Sequence, residues 1–216
     1  MKVHQIKNDW YPGEMKVNTY VVEFDDFCIV VDAQAPLRSV RELTNKPIKA
    51  VFITHGHHDH IMSIEEYDEL DVPIYANEHI VEMLNDPVKN VSNLVGSPTI
   101  YRIKHLNKMY EDYMIMVGGN AIYAYYTPGH SIDSMSYLVD DTLFTGDTLF
   151  SIAVGRVDLP TGSPEELIES LNKLKTLKFE DAYCGHGRKT NRAEQTTNIY
   201  KWQNYLKNEI KANQNV

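Results

Sequence analysis

Only two cysteines, Cys28 and Cys184, occur in 216 residues, which leaves room for one disulfide at most and excludes a disulfide-stapled secreted scaffold. Cations are also in short supply. Against 30 Asp and Glu there are 21 Lys and Arg, a net charge of −9, so the surplus that displaces counterions from a nucleic-acid backbone is missing. Long hydrophobic runs are absent too: the longest uncharged stretch, Tyr113 to Ile132, is interrupted by Gly118-Gly119-Asn120 and Thr127-Pro128-Gly129-His130, so it predicts no membrane helix. The opening Met1-Lys2-Val3-His4-Gln5-Ile6-Lys7-Asn8-Asp9 has no apolar run resembling a signal peptide, and with the low cysteine count this predicts a cytoplasmic protein with reduced thiols. No Gly/Ser linker, internal repeat or low-complexity segment divides the chain, so residues 1–216 read as one domain. What is present is ordinary for a folded domain: 43% apolar and 24% charged residues, enough for a sizeable core.

Apolar patterning predicts an alternation of strands and helices. Val17–Phe24 and Phe27–Val31 read as a hairpin around Asp25-Asp26, and Ile48–Thr54 as a further strand ending in a histidine-rich turn. Ile61, Ile64, Tyr67 and Leu70 then fall at helical spacing. Pro73-Ile74-Tyr75 predicts a short strand, followed by a helix through Ile80, Val81 and Leu84 that stops at Asp86-Pro87. Met114–Val117, Ala121–Tyr126, Ser136–Val139 and Thr142–Thr145 read as strands between turn residues. Ser163-Pro164-Glu165-Glu166 supplies a cap, a first-turn proline and two acids ahead of Leu167, Leu171 and Leu174. Ala182-Tyr183-Cys184 is a last short strand, and a long helix is expected over about 192–211, with Ile199, Trp202, Tyr205 and Leu206 as its buried stripe.

The chemistry is concentrated in Thr54-His55-Gly56-His57-His58-Asp59-His60, immediately after an apolar strand. Imidazole nitrogens and a carboxylate in so short a segment suit a divalent metal of borderline softness. A match to His-x-His-x-Asp-His arises by chance on the order of once in a thousand chains of this composition. The alternative is a solvated histidine cluster. Farther on stand Thr127-Pro128-Gly129-His130, Phe144-Thr145-Gly146-Asp147-Thr148 and Cys184-Gly185-His186-Gly187, each placing one metal-capable side chain beside glycine at the end of a short strand. Each is weak alone. His58 is expected on the surface, Cys184 in a buried strand, and His4, His79 and His105 have no ligand spacing.

In this order the motifs resemble the metallo-β-lactamase superfamily, and within it the glyoxalase II-like hydrolases. Gly155-Arg156-Val157-Asp158-Leu159-Pro160, following Asp147-Thr148-Leu149-Phe150, is similar to a stretch of the thioesterase-like branch. The resemblance implies an α/β fold, a four-layer αβ/βα sandwich with the site in loops at one edge. It also implies two divalent metal ions, zinc first and iron or manganese as alternatives: His55, His57 and His130 would hold one, Asp59, His60 and His186 the other, and Asp147 would bridge them. Three neutral imidazoles leave an ion's charge largely uncompensated, so bound water is acidified to a pKa of about 7 and a hydroxide exists at neutral pH. A bridging carboxylate would keep the ions roughly 3.5–4 Å apart, close enough for one hydroxide to lie between them. Asp59 and Asp147 are the carboxylates expected at the reacting centre.

The expected activity is therefore hydrolysis of small acyl thioesters. A mononuclear iron persulfide dioxygenase of the same superfamily is the rival, and a non-catalytic metal-binding module ranks last. Arg156 and Asp158 are candidates for an ion pair orienting the ligand loops, and Arg188 and Lys189 for a grip on an anionic substrate. Only 29 residues follow Gly187, too few for the separate helical substrate domain of two-domain glyoxalase II, and Asp32-Ala33-Gln34 departs from relatives that often place glycine after the aspartate. A small-molecule substrate is expected, with no nucleic-acid or membrane partner; oligomeric state is left open.

Overall fold

The structure, a computed structural model, describes residues 1–7 and 16–214. A first sheet has the order β1-β2-β3-β4-β5-β6, formed by Lys2–Lys7, Asn18–Glu23, Cys28–Val31, Ile48–Phe52, Ile74–Asn77 and Leu106–Met109. The first two pairings are antiparallel and the last three parallel. The second sheet has the order β12-β11-β10-β9-β8-β7, from Thr190–Asn191, Asp181–Cys184, Thr142–Gly146, Met135–Val139, Asn120–Tyr126 and Tyr113–Val117. Here only β10 and β11 run parallel. Six α-helices and a 3-10 helix at Ser92–Val95 complete the described residues: α1 (Leu37–Leu43), α2 (His58–Ile61), α3 (Ile64–Asp68), α4 (Ile80–Asn85), α5 (Pro164–Thr176) and α6 (Arg192–Asn213). The uncharged stretch from Tyr113 lies in β7 and β8, and no helix among the described residues is long and apolar enough to cross a membrane.

Central strands buried on both faces read as continuous apolar runs, because successive side chains point to opposite layers. Val22, Ile29, Val31 and Phe52 face Ile122, Tyr137, Val139 and Phe144 of the other sheet. Their sequence neighbours Val21, Val30, Val51 and Ile53 pack outward on Ile61, Ile64, Tyr67 and Ile80. Leu138 and Leu143 pack on Leu167, Leu171 and Leu174 of α5 and on Ile199 and Leu206 of α6. Three apolar interfaces between helices, sheet, sheet and helices make the four-layer sandwich.

Several local expectations change. The helical stripe beginning at Ile61 splits into α2 and α3, because the Ser63 N–H donates to Ala33 O (2.9 Å) and the Ser63 hydroxyl to Gln34 O (3.0 Å) instead of continuing the helix. Strands β1 and β6 escape the apolar pattern because both are sheet edges. In α6, Tyr205 points outward at 51% exposure, while Gln195, Asn198 and Gln203 are buried beside Ile199 and Leu206. Those amides are turned to carbonyls: Asn198 Nδ2 donates to Phe150 O and Ala153 O, both at 3.0 Å.

Both sheets end at one edge. Residues 54–60 leave the C-terminal end of β4, and His130, Asp147 and His186 follow β8, β10 and β11, which run in the same direction. Cross-links stitch this edge: Met135 N–H donates to Thr54 O (2.7 Å), the Tyr137 hydroxyl to Ile53 O (2.6 Å), and Asn18 N–H to Gly185 O (2.8 Å).

Candidate metal centre

The four ligand-bearing turns converge. Nε2 of His55 and Nε2 of His130 each lie 3.0 Å from Nδ1 of His57, so three imidazole nitrogens address one point. Beside them, Asp59, His60 and His186 form a second group whose ligand atoms lie within 4.8 Å of one another. Asp147 stands between: Oδ1 is 3.2 Å from His60 Nε2, and Oδ2 is 3.2 Å from His186 Nε2 and 3.6 Å from His130 Nε2. Despite that proximity, His60 Nε2 and Asp147 Oδ1 are buried without a hydrogen-bond partner. Two orphaned atoms of opposite type aimed at shared space, in a set of N and O donors, fit a divalent cation.

Partners of the other ring nitrogens fix which atom faces the centre. His130 Nδ1 pairs with Arg156 O at 2.8 Å. His60 Nδ1 pairs with Asp32 Oδ2 at 2.8 Å, and Asp32 also accepts from Thr54 N–H (2.7 Å) and the Thr54 hydroxyl (2.9 Å). That hydroxyl, having given its proton to Asp32, accepts from His55 Nδ1 at 3.1 Å. One buried carboxylate thus orients His60 directly and His55 through Thr54. Asp133 does the equivalent for the backbone, accepting from Gly56 N–H (2.6 Å) and the Ser131 hydroxyl (2.7 Å), which joins the His55–His57 turn to the His130 loop.

Burial lowers the pKa of His55, His57 and His130, His57 down to about 3, and neutral imidazole is the form that donates a lone pair. The second group is different. Burial opposes charge on His186, but Asp147 and Asp59 outweigh it and push its pKa up to about 10. Burial likewise opposes ionisation of Asp59 and Asp147, and is overcome by His186 and His60: Asp59 falls to about 2 and Asp147 lies well below the carboxylate range. Protonated histidines here stand where cationic charge is wanted.

The other sequence-derived candidates are placed as follows. His58, expected on the surface, is buried: its N–H donates to Asn90 O (2.8 Å) and its Nδ1 meets the Tyr101 hydroxyl. Arg156 and Asp158 form a bidentate pair (2.7 and 2.6 Å), but both are largely exposed, and it is the Arg156 carbonyl that touches His130. Arg188 pairs with Glu194 (3.0 Å) and Lys189 with Asp181 (2.5 Å), and neither lines the cleft over the centre. Cys184 is buried in β11, and burial pushes its thiol up to about 12. Asp32, Thr54 and Asp133 escape a reading for ligands, since their partners lie elsewhere in the sequence; the one signal is an aspartate ending the apolar run Val30-Val31.

A family model described as the metallo-beta-lactamase superfamily matches residues 12–186. The "Probable metallo-hydrolase YqgX" of Bacillus subtilis is 30% identical over 187 residues, covering 82% of this chain and 88% of that protein. A hydroxyacylglutathione hydrolase of Photobacterium profundum is 32% identical over 162 residues, covering 74% of this chain and 56% of its own length. The chain therefore spans little more than half of that relative. Among solved structures, the BLEG-1 B3 metallo-beta-lactamase superposes with a TM-score of 0.78 at 28% identity, covering 91% of this chain and 97% of that one. The four-layer sandwich, the histidine and aspartate groups at its edge and the match over most of the chain agree: the protein belongs to the metallo-beta-lactamase superfamily.

Proposed function

We propose that the protein is a hydrolase of small acyl thioesters working with two divalent metal ions, one held by His55, His57 and His130, the other by Asp59, His60 and His186, with Asp147 shared. The observation that carries this reading is the position of Asp147, within 3.6 Å of a histidine nitrogen from both groups. When bound, such ions acidify water and polarise an acyl carbonyl. The chain's own residues do the rest. Neutral His55, His57 and His130 leave positive charge uncompensated on their side, while ionised Asp59 and Asp147 balance it on the other. Asp32 and the Arg156 carbonyl keep His60 and His130 in register. A protein nucleophile is not needed, and Cys184, buried with a raised pKa, is unsuited to be one. Resemblance to hydroxyacylglutathione hydrolases supports the thioester.

The acidic charge speaks against polyanionic substrates. A one-iron persulfide dioxygenase would leave Asp59, His60 and His186 without a task, although their ligand atoms converge. The test offers lactoyl and acetyl thioesters to zinc- and manganese-loaded protein, and glutathione persulfide with oxygen to iron-loaded protein. Thioester cleavage without oxygen uptake is expected. Oxygen uptake with intact thioesters would reverse the assignment.

A further inference from the structure

Above the metal groups lies a cleft of about 510 Å³, and much of its wall is hydrocarbon: Val91, Leu94 and Val95 from the segment after α4, with Phe150, Val154 and Leu159 from the segment after β10. An exposed leucine alone means little. Here Leu94 (68% exposed) and Val95 (39%) share a wall with five candidate metal ligands, His57, Asp59, His130, Asp147 and His186. The Phe150 ring meets the His186 ring edge-on at 5.7 Å between centroids, so the apolar wall reaches the second group as well.

The platform bearing Val91 is held rigidly, in a conformation it would not choose. Val91 has φ 59° and ψ 10°, the left-handed region, an outlier for a β-branched residue. Such strain persists where the surroundings over-determine it. Its flanking residues Asn90 and Ser92 are fully buried. Asn90 donates to Thr99 O and accepts from Ser92 N–H, both at 3.0 Å, and its carbonyl accepts from His58 N–H at 2.8 Å. The ligand turn is therefore tied directly to the platform. Charge points the same way. Among the described residues lining the cleft, the one Lys or Arg is Arg156, already bound by Asp158, and the acids are Asp59 and Asp147. An anionic carrier finds no spare cation on this wall.

We propose that the wall formed by Val91, Leu94, Val95, Phe150, Val154 and Leu159 is a specificity site for an unbranched hydrocarbon acyl chain. The inference rests on the thioester reading and adds to it the class of acyl group. Of the two halves of a thioester, the acyl half is the one that brings uncharged hydrocarbon; thiol carriers are polar chains. The platform then sorts substrates by chain length, and His58 and Asn90 are positioning residues that set its distance from the metal ligands.

The test uses metal-loaded protein and S-acyl N-acetylcysteamine thioesters from acetyl to octanoyl. In parallel, calorimetry measures binding of the uncleavable S-(2-oxoalkyl) thioethers of the same lengths. In the wild type, kcat/KM and affinity rise by about fourfold per added methylene until the wall is filled. In the double variant L94S/V95S, whose side chains are exposed enough not to govern folding, the octanoyl-to-acetyl ratio falls by about tenfold or more. Leu43→Ser on distant α1 leaves that ratio unchanged. Cleavage of all thioesters at one rate, with thioether affinity independent of length, overturns the chain site and leaves the hydrolase reading standing. Inert thioesters with thioethers that still bind by length, and lose that dependence in the double variant, uphold the site and overturn the hydrolase reading.

Discussion

Asp147 and Gly185 make one device, because a carboxylate can reach two groups of imidazoles only where the neighbouring chain has no side chain. A Cβ on Gly185 would stand 2.1 Å from Asp147 Oδ1 and 2.7 Å from His60 Cε1. Gly185→Ala is therefore expected to leave a folded protein that binds fewer metal equivalents, read by circular dichroism beside elemental analysis; full metal content would show that the carboxylate can move without loss. Asp147→Asn keeps the shape and removes the charge that lets two cations sit side by side. Thioester turnover should fall by at least ~10²-fold and metal content with it, and near-normal values of both would refute the shared carboxylate. At this scale His55, His57, Asp59 and His60 were legible because metal chemistry constrains residue type and spacing together, whereas His130, Asp147 and His186, each weak alone, took their place in the ligand sets through the resemblance. Asp32 and His58 were not legible. Their roles come from Thr54, His60, Asn90 and Tyr101, partners that only folding brings near, so an aspartate ending a strand and a histidine inside the motif carry no signature of what they hold.

Helix α6 illustrates the same limit for whole elements. Its start and length are close to the expected span, and the structure adds a cap, the Asn191 side chain accepting from Glu194 N–H at 3.0 Å. Its packed face differs, since a helix that lies on a loop must satisfy that loop's carbonyls. Buried Gln195 and Asn198 do so, Trp202 Nε1 adds a bond to Ile152 O at 3.0 Å, and buried Gln203 donates instead to Ile168 O (3.3 Å) and Asn172 Oδ1 (2.7 Å) of α5. A search for an apolar stripe undervalues such amides and overvalues Tyr205. Asn198→Ala removes two hydrogen bonds to carbonyls that each keep one other donor, Gln195 Nε2 on Phe150 O and Phe150 N–H on Ala153 O, and should cost about 1–3 kcal/mol in urea unfolding, with metal content retained. A loss below a few tenths of a kcal/mol would show that water replaces the amide. Edge strands β1 and β6 and the break at Ser63 were illegible for related reasons: edges need no apolar alternation, and the break is imposed by a contact with Ala33 and Gln34.

For the molecule as a whole, the strands were readable through runs of β-branched residues and the four-layer sandwich only through the resemblance to the superfamily, and the joining of its sheets gathers four turns at one edge. Electrostatic stress is concentrated there. In metal-free protein, His186 is raised from an ordinary 6.5 to about 10, so the stability it contributes is complete below about pH 6.5 and is lost as pH rises towards 10. Asp59 is lowered from 3.8 to about 2, so its contribution is complete above about pH 4 and is lost as pH falls through 2. Chelator-treated protein should therefore melt at lower temperature as pH climbs from 7 to 10, and His186→Gln should flatten that slope; an unchanged slope would remove the pair from the stability of the apo fold. The central claim, however, concerns cations rather than protons. Its most direct measurement is metal stoichiometry of folded protein equilibrated in turn with zinc, iron and manganese and freed of excess. The account predicts close to two equivalents per chain, whereas saturation at one, or a folded protein that takes up none, would contradict it.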